Sequence, residues 1–269
     1  DDEMKEVTGS ETYFGGSYDK GEAHCHPLNY ALGIAQAALS ANAKIYENST
    51  VSSYDLSNSH VKVNTKSGSV KAERVVLACN GYLGNLEKRL NSKLLPMNNY
   101  IVATEPLGNE TAAKINPRDI AFADSRFVIN YFRLSADKRL LFGGGENYSQ
   151  ELSKNILPIV TKPLEKIYPF LKGVKIDYAW GGKLALTMNR LPFYKEMNKG
   201  KVLSAQGYSG QGVALASYAG KVIAEKITGD GETFDTMANI PMQRFPGGRF
   251  LRNPTMRVGM FYHALLDRL

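Results

Sequence analysis

The sequence predicts an α/β (α+β) fold, a partial α/β domain interleaved with a domain built on a mixed or antiparallel sheet. Three observations carry this. Residues 201–229 read as a strand, a turn holding three glycines in six residues (Gly207, Gly210, Gly212), and a long helix. Residues 94–150 hold strand-like runs separated by turn-rich links, the pattern of an antiparallel sheet. Between residues 27 and 79 a helical pattern gives way to strands, the last of which ends in an unbroken apolar burst. Helix, strands, antiparallel block, helix, strand, helix is an order that two interleaved domains produce more readily than two consecutive ones.

Each element has its own justification. In PLNYALGIAQAALSAN (27–42), Leu28, Ala31, Leu32, Ala35, Ala38 and Leu39 recur at three- and four-residue spacing, which puts them on one helical face. Pro27 suits the first turn and Asn42 the C-terminal stop. Strands are expected at Lys44–Leu56, His60–Thr65 and Val70–Cys79, with Lys66-Ser67-Gly68-Ser69 as a hairpin turn. Val75-Val76-Leu77-Ala78 shows almost no alternation, as in a strand covered on both faces. LLPMNNYIVATEP, FVINYFRLS and RLLFGGG supply the antiparallel block. Residues 155–171 form an amphipathic helix in which Pro158 fits the start and Pro163 predicts a kink or break. Strands return at Val174–Ala179 and Lys201–Ala205, and a helix from Gln211 to Ile227 is closed by Gly229. The segment 231–269 reads as turns, at 246–248 and Asn253-Pro254, and a short terminal helix docked on the body.

Composition narrows the function classes. The 269 residues are 43% hydrophobic and 22% charged, the balance of an ordinary globular protein. Two cysteines make no disulfide framework, so a reducing compartment and a cytoplasmic location are expected. No uncharged apolar run approaches the roughly 20 residues of a membrane span, and DDEMKEV lacks the apolar core of an export signal. Seven acids and two lysines in residues 1–22 leave the remaining 247 residues at +12 out of an overall +7. A basic body could meet nucleic acid, but no dense Lys/Arg run or zinc-finger spacing is present, and no nucleic-acid partner is expected.

The stretch LSAQGYSGQGV (203–213) carries the clearest chemistry. Glycine permits positive φ and lets a ligand come close to the backbone. The free N–H groups and partial positive charge of a helix start favour an anion or an electron-rich carbonyl, such as a phosphate or the pyrimidine edge of a flavin. A reduced flavin carries negative charge at that edge, so such a helix would stabilise it. A tight turn with no ligand is the other reading. The Walker ending Gly-Lys-Ser/Thr is missing, and G-x-G-x-x-G occurs nowhere in the chain. VVLACNGYLG (75–84), a strand running into small residues and glycine, is a second place where something flat or phosphorylated could approach.

HPLNYALGIAQAA, STVSSYDL, ERVVLACNGYLGNL and SAQGYSGQGVALASYAGKVIAE, in that order, resemble the landmarks of FAD-dependent oxidoreductases of the D-amino acid oxidase superfamily. TEPLG, YFRLSADKRLLFGGG, KIDYAWGG and FPGGRFLRNP extend the resemblance over essentially the whole chain. It implies an incomplete FAD-binding domain at 21–93 and 177–230, a substrate domain at 1–20 and 94–176, and a tail at 231–269. It implies FAD as cofactor, with Val51 on the adenine side and Ala78, Cys79, Asn80 and Gly81 near the ADP half. Tyr208, Ser209, Gly210, Gln211, Gly212 and Val213 would lie at the pyrimidine end of the ring system, with Gly182 beside the ring. The implied reaction is oxidation of a C–N bond of a small-molecule amine, a γ-glutamylated polyamine being the substrate suggested, by hydride transfer to flavin.

Two departures stand out. Relatives open with a strand, a G-x-G-x-x-G turn and a helix that hold the FAD pyrophosphate, so a missing N-terminal FAD-binding segment of the same protein is expected as a partner. A non-catalytic module that keeps the fold without the cofactor is the alternative. Amino-acid oxidases also place a substrate-clamping arginine where this chain has Leu184, which favours an amine substrate. Tyr131 and Arg133, alternating onto one face of their strand, and Lys183 are candidates for a substrate cavity. No catalytic base is identified. His24-Cys25-His26 has no companion cluster and is read as packing rather than a metal site, and Cys79 as a small apolar filler.

Overall fold

The computed structural model describes residues 2–126, 128–147, 151–246, 251, 252, 254 and 258. Along the chain run α1 (Asp2–Thr8), α2 (Pro27–Ser40), β1 (Val51–Leu56), β2 (Val61–Thr65), β3 (Ser69–Ala72) and β4 (Val75–Leu77). A 3-10 turn at Asn80–Tyr82 leads to α3 (Lys88–Asn91), β5 (Leu95–Thr104), α4 (Gly108–Ile115), β6 (Phe122–Ala123), β7 (Tyr131–Leu134) and β8 (Leu140–Asn147). Then come α5 (Leu157–Ile167), β9 (Ile176–Leu186), β10 (Phe193–Met197), β11 (Val202–Gln206), α6 (Gly212–Thr228) and α7 (Glu232–Ala238). Among the described residues no helix is long and apolar enough to cross a membrane.

The chain divides into two units. The first comprises residues 1–30, 98–182 and 257–269; the second, 31–97 and 183–256. The first is built on a five-stranded sheet of order β6-β7-β8-β5-β9, in which β6/β7, β7/β8 and β8/β5 pair antiparallel. Alternate residues of its strands (Tyr100 and Val102, Phe132 and Leu134, Leu140 and Phe142) turn to one face, where Val160, Leu164 and Ile167 of α5 cover them. The rings of Phe132 and Phe142 stack with centroids 5.5 Å apart. Burying each such ring or aliphatic chain stabilises the unit by about 1.5–3 kcal/mol.

The second unit carries an antiparallel sheet, β1-β2-β3, and a mixed one, β10-β11-β4, in which β10 runs antiparallel to β11 and β4 parallel to it. Every residue of β11 is buried. On one side Leu203 and Ala205 meet Ala219, Val222 and Ile223 of α6, with Tyr194 and Phe234. Val202 belongs to a second cluster with Leu77, Leu83, Leu90, Leu94, Ala185 and Phe193. Helix α6 ends at Gly229, whose φ of 113° is the left-handed stop its sequence position predicts.

Several expectations need correction. The strand expected from Lys44 begins only at Val51, because a turn occupies the residues before it. Val70–Cys79 is not one strand: β3 and β4 belong to different sheets, divided at Glu73-Arg74. Val76, expected to be covered on both faces, is 40% exposed, since β4 is the edge of its sheet. Helix α2 forms, and Asn42 follows it at φ 65°, but its apolar stripe buries no residue. Helix α5 continues through Pro163 instead of breaking. Strand β9 extends to Leu186 rather than ending at Ala179, and β10 was not foreseen. Of the turn expected at 246–248, Pro246 lies in a turn, whereas Gly247 and Gly248, like Asn253 and the terminal helix expected after Val258, lie outside the described residues.

Candidate functional site

Strands β4 and β11 run parallel in register Val75↔Val202 to Leu77↔Ser204, so both release the chain at the same end of their sheet. Carboxyl ends of adjacent parallel strands are where such sheets bind ligands, because main-chain groups and helix starts converge there. The two glycine-bearing turns singled out in the sequence emerge at this end.

After β4, Ala78 is exposed and Cys79 half-buried; burial pushes the Cys79 thiol up, away from the reactive thiolate form. Asn80 takes a left-handed conformation, φ 45°. Gly81 passes so close to β9 that a Cβ there would stand 2.8 Å from the carbonyl oxygens of both Lys183 and Leu184. The Lys183 N–H donates to the Tyr82 hydroxyl at 3.1 Å, fastening the same junction.

After β11, Gly207, Ser209 and Gly210 all have positive φ (77°, 52° and 102°). Tyr208 is buried, donates to the Ala205 carbonyl at 2.9 Å, and has its phenol pushed up to about 12 by burial and then by Tyr194. The Ser209 N–H donates to the Ala185 carbonyl at 3.0 Å. The Gly207 N–H donates to Asn80 Oδ1 at 3.0 Å, so the two turns are joined directly. Gly210 and Gln211 are exposed, and a Cβ on Gly210 would meet nothing within 4 Å among the described residues. Gln211 occupies the N-cap position of α6 without giving it a side-chain hydrogen bond, and Val213 in the first turn is 52% exposed. The tip of this 17-residue helix is open, with the partial positive charge of its aligned peptides facing outward. Nearby in sequence, Gln206 is fully buried; its Nε2 donates to Ser204 Oγ, while its Oε1 has no hydrogen-bond partner among the described residues.

The remaining sequence-derived candidates are placed as follows. Val51 opens β1 in the antiparallel sheet of the second unit. Gly182, Tyr131 and Arg133 belong to the first unit. There Tyr131 lies across Gly143, where an added Cβ would stand 2.2 Å from its ring, and its hydroxyl donates to Asn99 Oδ1. Arg133 donates to the carbonyls of Leu134 at 3.1 Å and Cys25 at 2.8 Å. His24 bonds the Asp119 carbonyl at 2.8 Å. Sequence reasoning missed Asn99, Gly143 and Gln206. The run Gly143-Gly144-Gly145 was the one signal available, since three glycines inside a strand ask what lies over them.

The chain is 38% identical over 267 residues to gamma-glutamylputrescine oxidoreductase of Escherichia coli (strain K12), covering 99% of this chain and 62% of that protein. A probable oxidoreductase, OrdL, of Rhizobium meliloti (strain 1021) is 38% identical over 260 residues, covering 97% and 60%. The chain thus spans about three-fifths of the length of these curated relatives. Among solved structures, glycine oxidase from Geobacillus kaustophilus aligns with a TM-score of 0.62 at 21% identity, over 74% of this chain and 53% of that one. L-proline dehydrogenase from P. horikoshii also gives 0.62, at 24% identity, over 80% and 57%. These two share the fold. A family model described as FAD dependent oxidoreductase (DAO) matches residues 1–226. With most of its length matched by that model, the chain belongs to the DAO family of FAD-dependent oxidoreductases.

Proposed function

We propose that the polypeptide oxidises a C–N bond of a small amine, with a γ-glutamylated polyamine as substrate, and that its two joined turns hold the FAD. The observation that carries this reading is the open start of α6, held beside the β4 turn by the Asn80–Gly207 hydrogen bond. The residues fit the group: the helix tip presents uncapped N–H donors, Gly210 leaves room for a flat ring, and nothing acidic lies in the first turn. Bound FAD would supply the acceptor for hydride leaving the substrate carbon.

This chain's residues supply binding and orientation. The amides of Gly212 and Val213 would face the electron-rich pyrimidine edge and favour its more negative, reduced form. Ala78 to Gly81 would face the ADP half and Val51 the adenine side, with Gly182 beside the ring. Tyr131, Arg133 and Lys183 are proposed to orient the amine. With Leu184 where amino-acid oxidases keep an arginine, a carboxylate is not clamped at that position, which supports an amine over a simple amino acid. The name of the Escherichia coli relative, gamma-glutamylputrescine oxidoreductase, supports the substrate class. The fingerprint G-x-G-x-x-G is absent from these 269 residues. We assign the pyrophosphate contacts to a further segment of the same protein, consistent with the greater length of the relatives.

The test is flavin binding and turnover by a polypeptide of the relatives' full length containing this chain. Retention of the yellow absorption band through dialysis, bleached on adding γ-glutamylputrescine under nitrogen, is the expected result. A protein that stays colourless with excess FAD would overturn the reading in favour of a binding module that keeps the fold alone.

A further inference from the structure

On the sheet of the first unit, Phe132, Leu134 and Phe142 pack toward α5, so Tyr131, Arg133 and Gly143 lie on the opposite face. Tyr131 stands directly across from Gly143. The missing side chain makes room for the ring, since a Cβ there would lie 2.2 Å from Cε2 and Cζ and 2.6 Å from the hydroxyl oxygen. The ring thereby crosses β8 to reach β5, the next strand, where its hydroxyl donates to Asn99 Oδ1. A phenol carries one proton. With that proton given to Asn99, the oxygen meets any further group as an acceptor. Arg133, on the same face, is the cation that could reverse this polarity. Its Nη1 donates to the Leu134 carbonyl at 3.1 Å and its Nη2 to the Cys25 carbonyl at 2.8 Å, so both ends of the guanidinium fork are turned to main chain. A two-point clamp on a carboxylate would have to displace both.

We propose that Asn99 is a positioning residue that sets the hydrogen-bond polarity of Tyr131, so that this face takes an N–H donor and disfavours a carboxylate. The inference rests on the functional reading above and deepens it. Tyr131 accepts from an N–H of the substrate's reacting amine, and the choice of amine over amino acid is made one residue further back. The Asn99 oxygen can only accept, which obliges the phenol to donate to it. A carboxylate brought to the same phenol oxygen would set lone pairs against lone pairs, a repulsive element of the kind specificity uses. With an apolar residue at position 99 the phenol proton is released, and the same oxygen can donate to an anion. Gly143 belongs to this device, because any larger residue keeps the ring from reaching Asn99.

Calorimetric titration of a polypeptide of the relatives' full length tests it with two probes of matched shape. These are tert-butylammonium, whose nitrogen-bearing carbon has no hydrogen to lose, and pivalate, its carboxylate counterpart. The parent is expected to bind the ammonium on the order of tenfold more tightly than the carboxylate. Asn99→Leu is expected to abolish that preference and to tighten pivalate, a gain that a merely structural asparagine would not produce. In turnover of γ-glutamylputrescine the same variant should raise KM on the order of tenfold and leave kcat little changed. Tyr131→Phe should lose the preference without tightening pivalate. A parent-like preference in Asn99→Leu overturns the proposal. So does tetramethylammonium binding as tightly as tert-butylammonium, which would assign recognition to charge rather than to an N–H. If Asn99→Leu does not fold, Asn99→Ala serves the same comparison. A parent that binds FAD and oxidises the amine yet prefers neither probe overturns this inference alone. A colourless protein whose preference still depends on residue 99 overturns the functional reading alone.

Discussion

Asn80 and Gly207 are joined by a 3.0 Å hydrogen bond from the glycine N–H to the asparagine side-chain oxygen. Each sits at the point where a parallel strand gives way to a turn, so one side chain fixes the spacing of the two backbone segments proposed to hold the FAD. Asn80 adopts φ 45°, a conformation asparagine tolerates better than most residues.

Removing that side chain separates two effects. Asn80→Gly keeps the backbone freedom but leaves the buried Gly207 N–H unpaired, which costs about 1–3 kcal/mol. Asn80→Ala adds roughly 1–2 kcal/mol for the left-handed conformation. Urea denaturation should rank the parent above the glycine variant and the glycine variant above the alanine one. FAD affinity should fall in both.

Two glycines of the same turn should respond differently. A Cβ at Gly207 would stand 2.5 Å from Thr187 Cγ2 and 3.0 Å from Leu94 Cδ2, on top of its positive φ, whereas Gly210 opens onto free space. Gly207→Ala should cost about 2–4 kcal/mol, strain and overpacking together. Gly210→Ala should cost only the strain, roughly 1–2 kcal/mol, and should weaken FAD binding more than its melting temperature suggests.

In the first unit, Gly143→Ala must push the Tyr131 ring off Asn99, because the new methyl would lie 2.2 Å from it. Destabilisation of about 1–3 kcal/mol is expected. If Tyr131 orients the amine, the KM of the full-length enzyme should rise while kcat changes little. Trp180, the single tryptophan, lies on β9 of the same sheet, so its emission offers a readout of amine binding without turnover.

Acid sensitivity should concentrate where Arg139, just before β8, reaches Asp177 of β9. The Arg139 guanidinium hydrogen bond at 2.6 Å, followed by that of Lys175 at 2.8 Å, holds the Asp177 carboxyl below the usual carboxylate range. A depressed carboxylate lends stability above its unfolded value, and that stability is lost as pH falls through the folded one. Asp177→Asn should therefore unfold at lower urea than the parent near neutral pH. The two curves should converge by roughly pH 2–3, and a constant gap down to that pH would contradict the assignment.

The sequence made some of this legible and hid the rest for physical reasons. Helix α6 and its stop at Gly229 could be read because a strand, a glycine turn and a left-handed cap are all local. The hairpin through Ser67-Gly68 was local too. Val75–Ala78 looked like a fully covered strand because an apolar run records what should cover it, whether or not the described chain supplies the cover. The same holds for α2, whose stripe of Leu28, Leu32 and Leu39 is regular and remains exposed. Strand β10, FYKEM, was missed because Lys195 and Glu196 interrupt its apolar alternation. The glycine turns marked the candidate site, but the bond joining them spans residues that no spacing rule relates. Asn99 under Tyr131 was invisible for the same reason.

That bond closes a loop of 127 residues, and the whole five-stranded sheet lies within the interval. Contacts so remote in sequence form late, after the entropy of the intervening chain has been surrendered. On refolding, the hairpins and α6 should therefore be in place while the proposed cofactor cradle is still open, and competence to capture flavin should emerge as one of the last and slowest kinetic phases.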